Sequence, residues 1–171
     1  MKILLLAFED TVAQLVAYEL CKRRRDVAVQ LVPSDELAIK QLCESLNVQS
    51  YNLVVGMGMY SGPLQGALRF EQSCTDKFRN AGTGVRISMT HLLPKVPGAR
   101  HAQGIGNSYC NLLSWQFMKH HQNEPKYCFI HIPRTATVAV AADVLGNTLG
   151  PHYGLAAPPR LVNHDCLSVW V

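Results

Sequence analysis

One cysteine of this chain stands where a thiol could serve as a nucleophile. Cys110 lies in the first turn of a helix predicted from about Ser108 to His121, directly after the glycine-rich stretch Gly104–Gly106. Backbone N–H groups and the helix dipole converge at such a position, where they lower the pKa of a thiol and can hold an oxyanion. Buried cysteines are usually inert core residues, so the position alone leaves both interpretations open.

Two further residues could complete a catalytic arrangement with that thiol. His131 stands at the carboxyl end of a predicted buried strand, where catalytic groups of open α/β sheets gather, and it could accept the thiol proton. Glu71 lies inside a strand-like, partly apolar segment, where burying a carboxylate is costly unless it has a partner such as His131. The non-catalytic alternatives are a core histidine and a solvent-facing glutamate bonded to Arg69 or Lys77.

An alternation of strands and helices must position these residues. Apolar runs predict strands, and the segments concerned are 2–8, 27–32, 53–55, 67–75, 85–89 and 127–132. Helical periodicity and capping residues predict helices over 12–24, 34–46, 108–121 and 135–149. Residues 91–103 indicate an irregular excursion, and residues 167–171 a short edge strand.

The order of these elements predicts the fold class. A β-α-β-α-β start implies parallel pairing with right-handed crossovers. Strands that are apolar throughout indicate a sheet covered on both faces. We therefore expect a three-layer α/β/α sandwich with a mostly parallel, mixed sheet, in a single domain over residues 1–171.

Length and composition exclude several classes of protein. Of 171 residues, 48% are hydrophobic and 16% charged, against about 25% charged in a typical soluble domain, which excludes a disordered chain. The first apolar run ends at Glu9 and Asp10, too early for a secretory signal or a membrane span. We therefore expect the six cysteines to be reduced thiols in a cytoplasmic protein.

Other ligand classes have little support. The basic cluster Lys22–Arg25 stands where the first helix should end, so its cations complement the helix dipole, and RNA binding is the alternative. Gly56 and Gly58 follow a strand, but no G-x-G-x-x-G occurs, which disfavours a nucleotide site. No C-x-x-C occurs and the histidines lack partners at ligand spacing, so no metal is expected.

Several short motifs resemble those of pyroglutamyl peptidase type I, a family of cysteine peptidases with a Glu–Cys–His triad in that chain order. Met1–Glu9 is similar to the family's first strand and G-F-E-P-F start, and Leu53–Gly56 to its V-G strand end. Glu71 falls where the glutamate of the family's V-E-R would stand. Asn107–Asn111 resembles the T-F-V-C-N motif, and Phe129–Pro133 resembles F-I-H-I-P, the most specific match.

The resemblance implies a phosphorylase/hydrolase-like fold and a definite chemistry. Cys110 would attack a scissile amide, His131 would act as base and then as acid, and Glu71 would orient the ring. The family removes an N-terminal pyroglutamyl residue, needs no metal or other cofactor, is cytoplasmic and is often oligomeric. The implied partners are a peptide or small amide substrate and further copies of the chain, with no nucleic acid and no membrane.

The residues expected to bind substrate are only partly those of the family. Phe8 and Arg79 are the predicted substrate-binding residues, Arg79 by alignment with a family arginine in D-A-R-I-P-D-N-x-G. Thr11 stands near the place of a second pocket aromatic, Met57 replaces the glutamine after V-G, and Met59–Gly62 replaces a G-G-R loop. We therefore expect retained amide-hydrolysis machinery with altered specificity. The alternative is a degenerate, non-catalytic member that binds a small ligand or partner chain through the altered pocket.

Overall fold

Buried apolar segments and capped helices build the first half of the chain as a regular β-α-β-α-β unit. The computed structural model describes residues 1–62, 66–79, 81–122 and 124–150. The first elements are β1 (Ile3–Phe8), α1 (Val12–Arg23), β2 (Val27–Val32), α2 (Glu36–Ser45) and β3 (Leu53–Tyr60). The Thr11 hydroxyl caps α1 and the Asp35 carboxylate caps α2, each accepting from a first-turn backbone N–H.

The second half adds shorter strands and two more helices. Its elements are β4 (Leu68–Glu71), β5 (Ser73–Thr75), β6 (Arg86–Ser88), β7 (Ala99–Ala102), α3 (Tyr109–His121), β8 (Lys126–Pro133) and α4 (Val138–Thr148). The main sheet has the strand order β2-β1-β3-β8-β4-β7, and β5 pairs with β6 separately. All neighbours in the main sheet are parallel except β4 and β8, which are antiparallel. The predicted mostly parallel, mixed sheet is confirmed.

Helices cover both faces of the main sheet, as the strands without alternation predict. Leu53, Val55 and Met57 of β3 pack in the cluster that contains α1 and α4. Val54 packs instead in the cluster that contains α2 and α3. Odd- and even-numbered residues of β3 therefore face opposite layers, and the predicted three-layer fold class is confirmed.

Three local expectations are wrong for identifiable reasons. Residues 67–75 form two strands in two sheets, because the backbone of Gln72 bonds to Ala102 on one side and to Met89 on the other. The excursion over 91–103 contains β7, a polar edge strand without a hydrophobic pattern. The glycine-rich residues after 55 continue β3 to Tyr60, because Gly56 lets the ring of Phe129 pack against the strand. The expected strand at 167–171 lies outside the described residues.

Two arginines of the basic cluster, Arg23 and Arg24, are held in intramolecular pairs. Arg24 is 4% exposed and its guanidinium bonds to Asp26. Arg23 pairs with Glu19 and with Asp143. These intramolecular pairs disfavour the RNA-binding alternative, which needs the arginines to meet phosphates. No helix within the described residues is both long and apolar enough to cross a membrane.

Candidate active site

The alternation of side chains along the strands directs the candidate residues to one face of the sheet. On β4, Leu68 and Phe70 pack toward α1 and α4, so Arg69 and Glu71 face the α3 layer. His131 of β8 is the register partner of Arg69 on one side and of Gly58 on the other. This register gathers groups from three neighbouring strands beneath the start of α3.

His131 and Glu71 form a buried hydrogen-bonded pair. His131 Nδ1 lies 2.8 Å from Glu71 Oε1, and the Glu71 side chain has no exposed surface. An ionised carboxylate only accepts hydrogen bonds, so Nδ1 carries the donated proton and Nε2 is left to accept one. The partner that a buried Glu71 needs is therefore present, and the imidazole is held in one tautomer.

Cys110 lies directly above this pair. A Cβ atom placed on Gly58 would be 2.5 Å from Cys110 Sγ and 3.5 Å from His131 Cδ2. The sulfur is therefore within about 6 Å of the imidazole ring. Within the described residues, no hydrogen bond joins this thiol to His131. Catalytic hydrogen bonds are often long without substrate and shorten when it binds.

Burial gives the Cys110 thiol a different charge state from the one expected at a helix start. Its exposed fraction is 9%, and desolvation raises the pKa of Cys110 to about 12. A hydrogen bond with the Ser108 hydroxyl lowers this pKa, and the charge of Glu71 raises it. The expectation of a lowered pKa is therefore wrong, because loss of water outweighs the helix start. Burial also raises the pKa of Cys43 and of Cys74 to about 12, so position rather than acidity distinguishes Cys110.

The start of α3 offers donors for a developing negative charge. Ser108 occupies the N-cap position, but its side chain makes no capping hydrogen bond. The N–H groups of a first helical turn lack intrahelical acceptors. Those flanking Cys110 are therefore candidate donors to an oxyanion.

Asn111, next to Cys110, fixes the position of this helix start and was not singled out in the sequence. It is 1% exposed, accepts from Thr75 N at 2.9 Å and donates to Thr75 O at 2.9 Å and to Lys77 O. One amide side chain thus ties α3 to β5 and the residues after it. In the sequence, the feature that indicates this role is the amide side chain of Asn111, which stands in an otherwise apolar helical turn directly after Cys110.

The two predicted substrate-binding residues lie in different environments. Phe8 is 3% exposed and packs in the core between the sheet and the α2/α3 layer. Arg79 is exposed, and its guanidinium donates to the Tyr109 hydroxyl at 2.7 Å, next to Cys110. It also lines a cavity of about 570 Å³ whose lining includes Trp115 but none of the three candidate catalytic residues. Both remain predictions as substrate contacts.

Two of the positions that depart from the family have structural roles here. The Thr11 hydroxyl donates to Phe8 O at 2.8 Å and caps α1. Met57 is fully buried on the α1/α4 side of the sheet, opposite to the face that carries His131. Met57 is therefore part of the core and not of a pocket at Cys110.

Cys43, Cys74, Cys110 and Cys128 are free thiols. Within the described residues, no group of three or more potential metal ligands occurs.

The fold is similar to those of solved pyroglutamyl and pyrrolidone carboxyl peptidases. Pyrrolidone carboxyl peptidase from Thermus thermophilus matches with a TM-score of 0.70 and 14% identity, over 86% of this chain and 98% of that chain. Pyroglutamyl peptidase I from Bacillus amyloliquefaciens matches with a TM-score of 0.63 and 15% identity, over 84% and 92%. Pyrrolidone carboxyl peptidase from Thermococcus litoralis matches with a TM-score of 0.59 and 15% identity, over 77% and 76%.

The family resemblance found in the motifs is thus confirmed at the level of the fold. The similarity lies in structure rather than in overall sequence, since no family model and no curated protein matches the chain. An identity of 14–15% is that of a divergent relative.

Proposed function

We propose that this protein is a cysteine peptidase of the pyroglutamyl-peptidase type, which removes an N-terminal pyroglutamyl or related small residue. The observation that carries the proposal is the 2.8 Å pair of His131 and Glu71 beneath Cys110. The pair lies on a fold that is similar to those of solved pyrrolidone carboxyl peptidases. The proposal includes a single domain over residues 1–171, a cytoplasmic location, self-association and no metal or cofactor, as the family resemblance implies.

The reaction follows from the roles that these groups can take. His131 Nε2 accepts the proton of Cys110, and the sulfur attacks the carbonyl carbon of the scissile amide. The tetrahedral oxyanion that forms is held by N–H groups at the start of α3. His131 then returns the proton to the departing amine, leaving a thioester. Water, deprotonated by His131, hydrolyses that thioester and regenerates the thiol.

Burial of the three groups supports a small substrate residue. Cys110 is 9% exposed, His131 5% and Glu71 2%. A carbonyl carbon must reach a sulfur of which little surface is exposed, which favours a compact terminal residue over the interior of an extended peptide. Exclusion of water also strengthens the electrostatic interactions that the transition state needs.

The experiment that tests the proposal compares two buried cysteines. Cys110→Ala should abolish hydrolysis of pyroglutamyl amides and related aminoacyl amides. Cys43→Ala is the matched control, because Cys43 is also a buried thiol whose pKa is raised by burial, but it lies on α2. Loss of activity in both variants, or in neither, contradicts a nucleophilic role for Cys110.

A non-catalytic relative that binds a small ligand is the second candidate. It is favoured by the neutral, buried thiol, which has no hydrogen bond to His131 among the described residues. Such a protein should gain thermal stability in the presence of pyroglutamyl amide without turning it over. Turnover that depends on Cys110 would exclude this second candidate.

A further inference from the structure

Arg69 contacts the same carboxylate oxygen that His131 uses. Its Nη2 lies 3.0 Å from Glu71 Oε1, while His131 Nδ1 lies 2.8 Å from that oxygen. Among the described residues, Glu71 Oε2 is buried without a hydrogen-bond partner. One oxygen of Glu71 therefore carries both contacts, and the arginine shares it with the imidazole.

The arginine is held in this position by its surroundings. Its guanidinium carbon lies 4.4 Å from the centre of the Tyr60 ring, which is itself 6.1 Å from the imidazole centre. A cation over an aromatic face is stabilised by the ring quadrupole. The Arg69 side chain is 17% exposed, so its charge is poorly screened by water. Arg69 is thus a fixed positive charge beside the Glu71–His131 pair.

The charged and titratable groups around His131 come from several elements. Glu71 and Arg69 reach it from β4, Tyr60 from β3 and Cys110 from α3. Arg100 on β7 is the register partner of Arg69 and adds a second positive charge farther along the sheet. Glu71 is the negative charge in direct contact with His131.

A positive charge at this place opposes the proton transfer that creates the nucleophile. When the Cys110 proton moves to His131, the ring becomes a cation, which Glu71 stabilises and Arg69 destabilises. Glu71 also repels the Cys110 thiolate. Partial neutralisation of Glu71 by Arg69 therefore weakens the stabilisation of the imidazolium and also weakens the repulsion of the thiolate. The effect on the ring is larger, because Coulomb energy falls with distance and the ring is in direct contact with the carboxylate.

We propose that Arg69 is a positioning residue that fixes the Glu71 carboxylate beside His131 and offsets its charge, so that the Cys110 proton stays on the thiol until substrate binds. The inference rests on the proposed function only in taking Cys110 and His131 as a proton-exchanging pair. It assigns to this chain a resting site with a neutral thiol, which substrate binding and not prior ionisation must activate.

The test measures how the rate of Cys110 alkylation by iodoacetamide depends on pH. The thiols of Cys21 and Cys166 are first replaced by serine, so that Cys110 is the thiol followed by peptide mass spectrometry. Arg69→Gln keeps a donor for Glu71 but removes the charge. It should move the rise in alkylation about one pH unit toward acid, which makes the reaction about tenfold faster near neutral pH. Arg69→Lys keeps the charge and should leave the profile unchanged.

Two further variants separate charge from shape. In a Glu71→Gln background the acceleration by Arg69→Gln should become smaller, because only the direct repulsion between Arg69 and the imidazolium remains to be removed. Arg69→Met, a second neutral variant, should accelerate alkylation as Arg69→Gln does, and thermal melting checks the folding of each. The proposal is overturned if both neutral variants keep the wild-type profile, if Arg69→Lys shifts it equally, or if the acceleration is as large without Glu71 as with it. The alkylation assay uses no substrate, so its result does not depend on whether the protein has peptidase activity.

Discussion

Gly58 and His131 are register partners on neighbouring parallel strands, and the absent side chain of Gly58 leaves the space that Cys110 occupies. The position of a Cβ atom on Gly58 lies 2.5 Å from Cys110 Sγ and 3.1 Å from Phe129 Cζ. The thiol can therefore approach the imidazole from above the sheet only because β3 carries no side chain at this point. Close packing, and not an unusual backbone conformation, requires glycine at position 58, because the backbone angles there are ordinary for a β-strand.

Gly58→Ala should displace the nucleophile. Contacts below 3.0 Å are not tolerated, so the sulfur of Cys110, 2.5 Å from the added Cβ, must move. A displacement of about 1 Å at a reacting group can reduce the rate about 10²-fold. Overpacking of a buried site also costs about 1–3 kcal/mol. Measurements of kcat/KM and of urea unfolding on the same variant separate the two effects.

Gly146→Ala is the matched control for that substitution. Gly146 lies within α4, and an added Cβ meets nothing within 4 Å. Alanine in a helix should raise the free energy of unfolding by about 0.5–1 kcal/mol, and hydrolysis should be unchanged. If Gly58→Ala keeps wild-type activity, the thiol is not positioned by this gap.

Asn111→Ala should detach the start of α3 from β5. The buried amide makes bonds with the backbone of Thr75 and with Lys77 O, which are partly shielded from water. Removing the amide leaves these backbone groups without that partner, at a cost of about 1–3 kcal/mol. Urea unfolding should report this loss, whereas Asn147→Ala, at an exposed position in α4, should stay within about 0.5 kcal/mol of wild type. Equal effects of the two substitutions would contradict the tether.

Arg79→Ala tests whether the exposed arginine beside Tyr109 contacts substrate. A charged hydrogen bond to substrate is worth about 1.5–3 kcal/mol, so its loss should raise KM at least tenfold with little change in kcat. Lys40→Ala is the control, because Lys40 lines the same cavity at α2. If neither substitution changes KM, this cavity is no part of the substrate site.

The sequence predicts the candidate catalytic residues well where a residue of suitable chemistry stands in a recognisable strand or at the start of a helix. His131 ends an apolar run, so its place at the carboxyl edge of the sheet follows from the strand alone. Cys110 follows a glycine-rich loop, which marks a helix start. Glu71 could be paired with His131 because a carboxylate in an apolar strand needs a partner.

The contact between Arg69 and Glu71 follows from their i, i+2 spacing on one strand, but the effect of Arg69 on the imidazole depends on the assembled sheet. β4 runs antiparallel to β8 and sets Arg69 opposite His131. Strand order and register are properties of the assembled sheet. The charge state of Cys110 is a similar case, because the depth of burial decides the direction of its pKa shift and the helix start does not. Residue type and sequence position thus identify the candidate catalytic residues, while tertiary packing determines their electrostatic environment.

Buried thiols should make the protein less stable in alkaline solution. In the unfolded chain a cysteine ionises near its ordinary pKa of 9.0, whereas burial raises the pKa of Cys43, Cys74 and Cys110 to about 12. Between these pH values the unfolded state binds fewer protons than the folded state, so the free energy of unfolding must fall as pH rises. Each thiol contributes a slope of about 1.4 kcal/mol per pH unit in that window, and none below it.

Urea unfolding under reducing conditions, from about pH 7.5 to about pH 10.5, measures this slope. Cys43→Ala should lower the slope by the contribution of one thiol, whatever it does to stability at neutral pH. Lysine and tyrosine groups titrate in both proteins and cancel in the difference. A variant with the wild-type slope would mean that Cys43 ionises equally in the two states, and so that its burial does not hold it neutral. Cys110→Ala should change the slope in the same direction, because a nucleophile that rests as a neutral thiol contributes to alkaline instability as an inert core cysteine does.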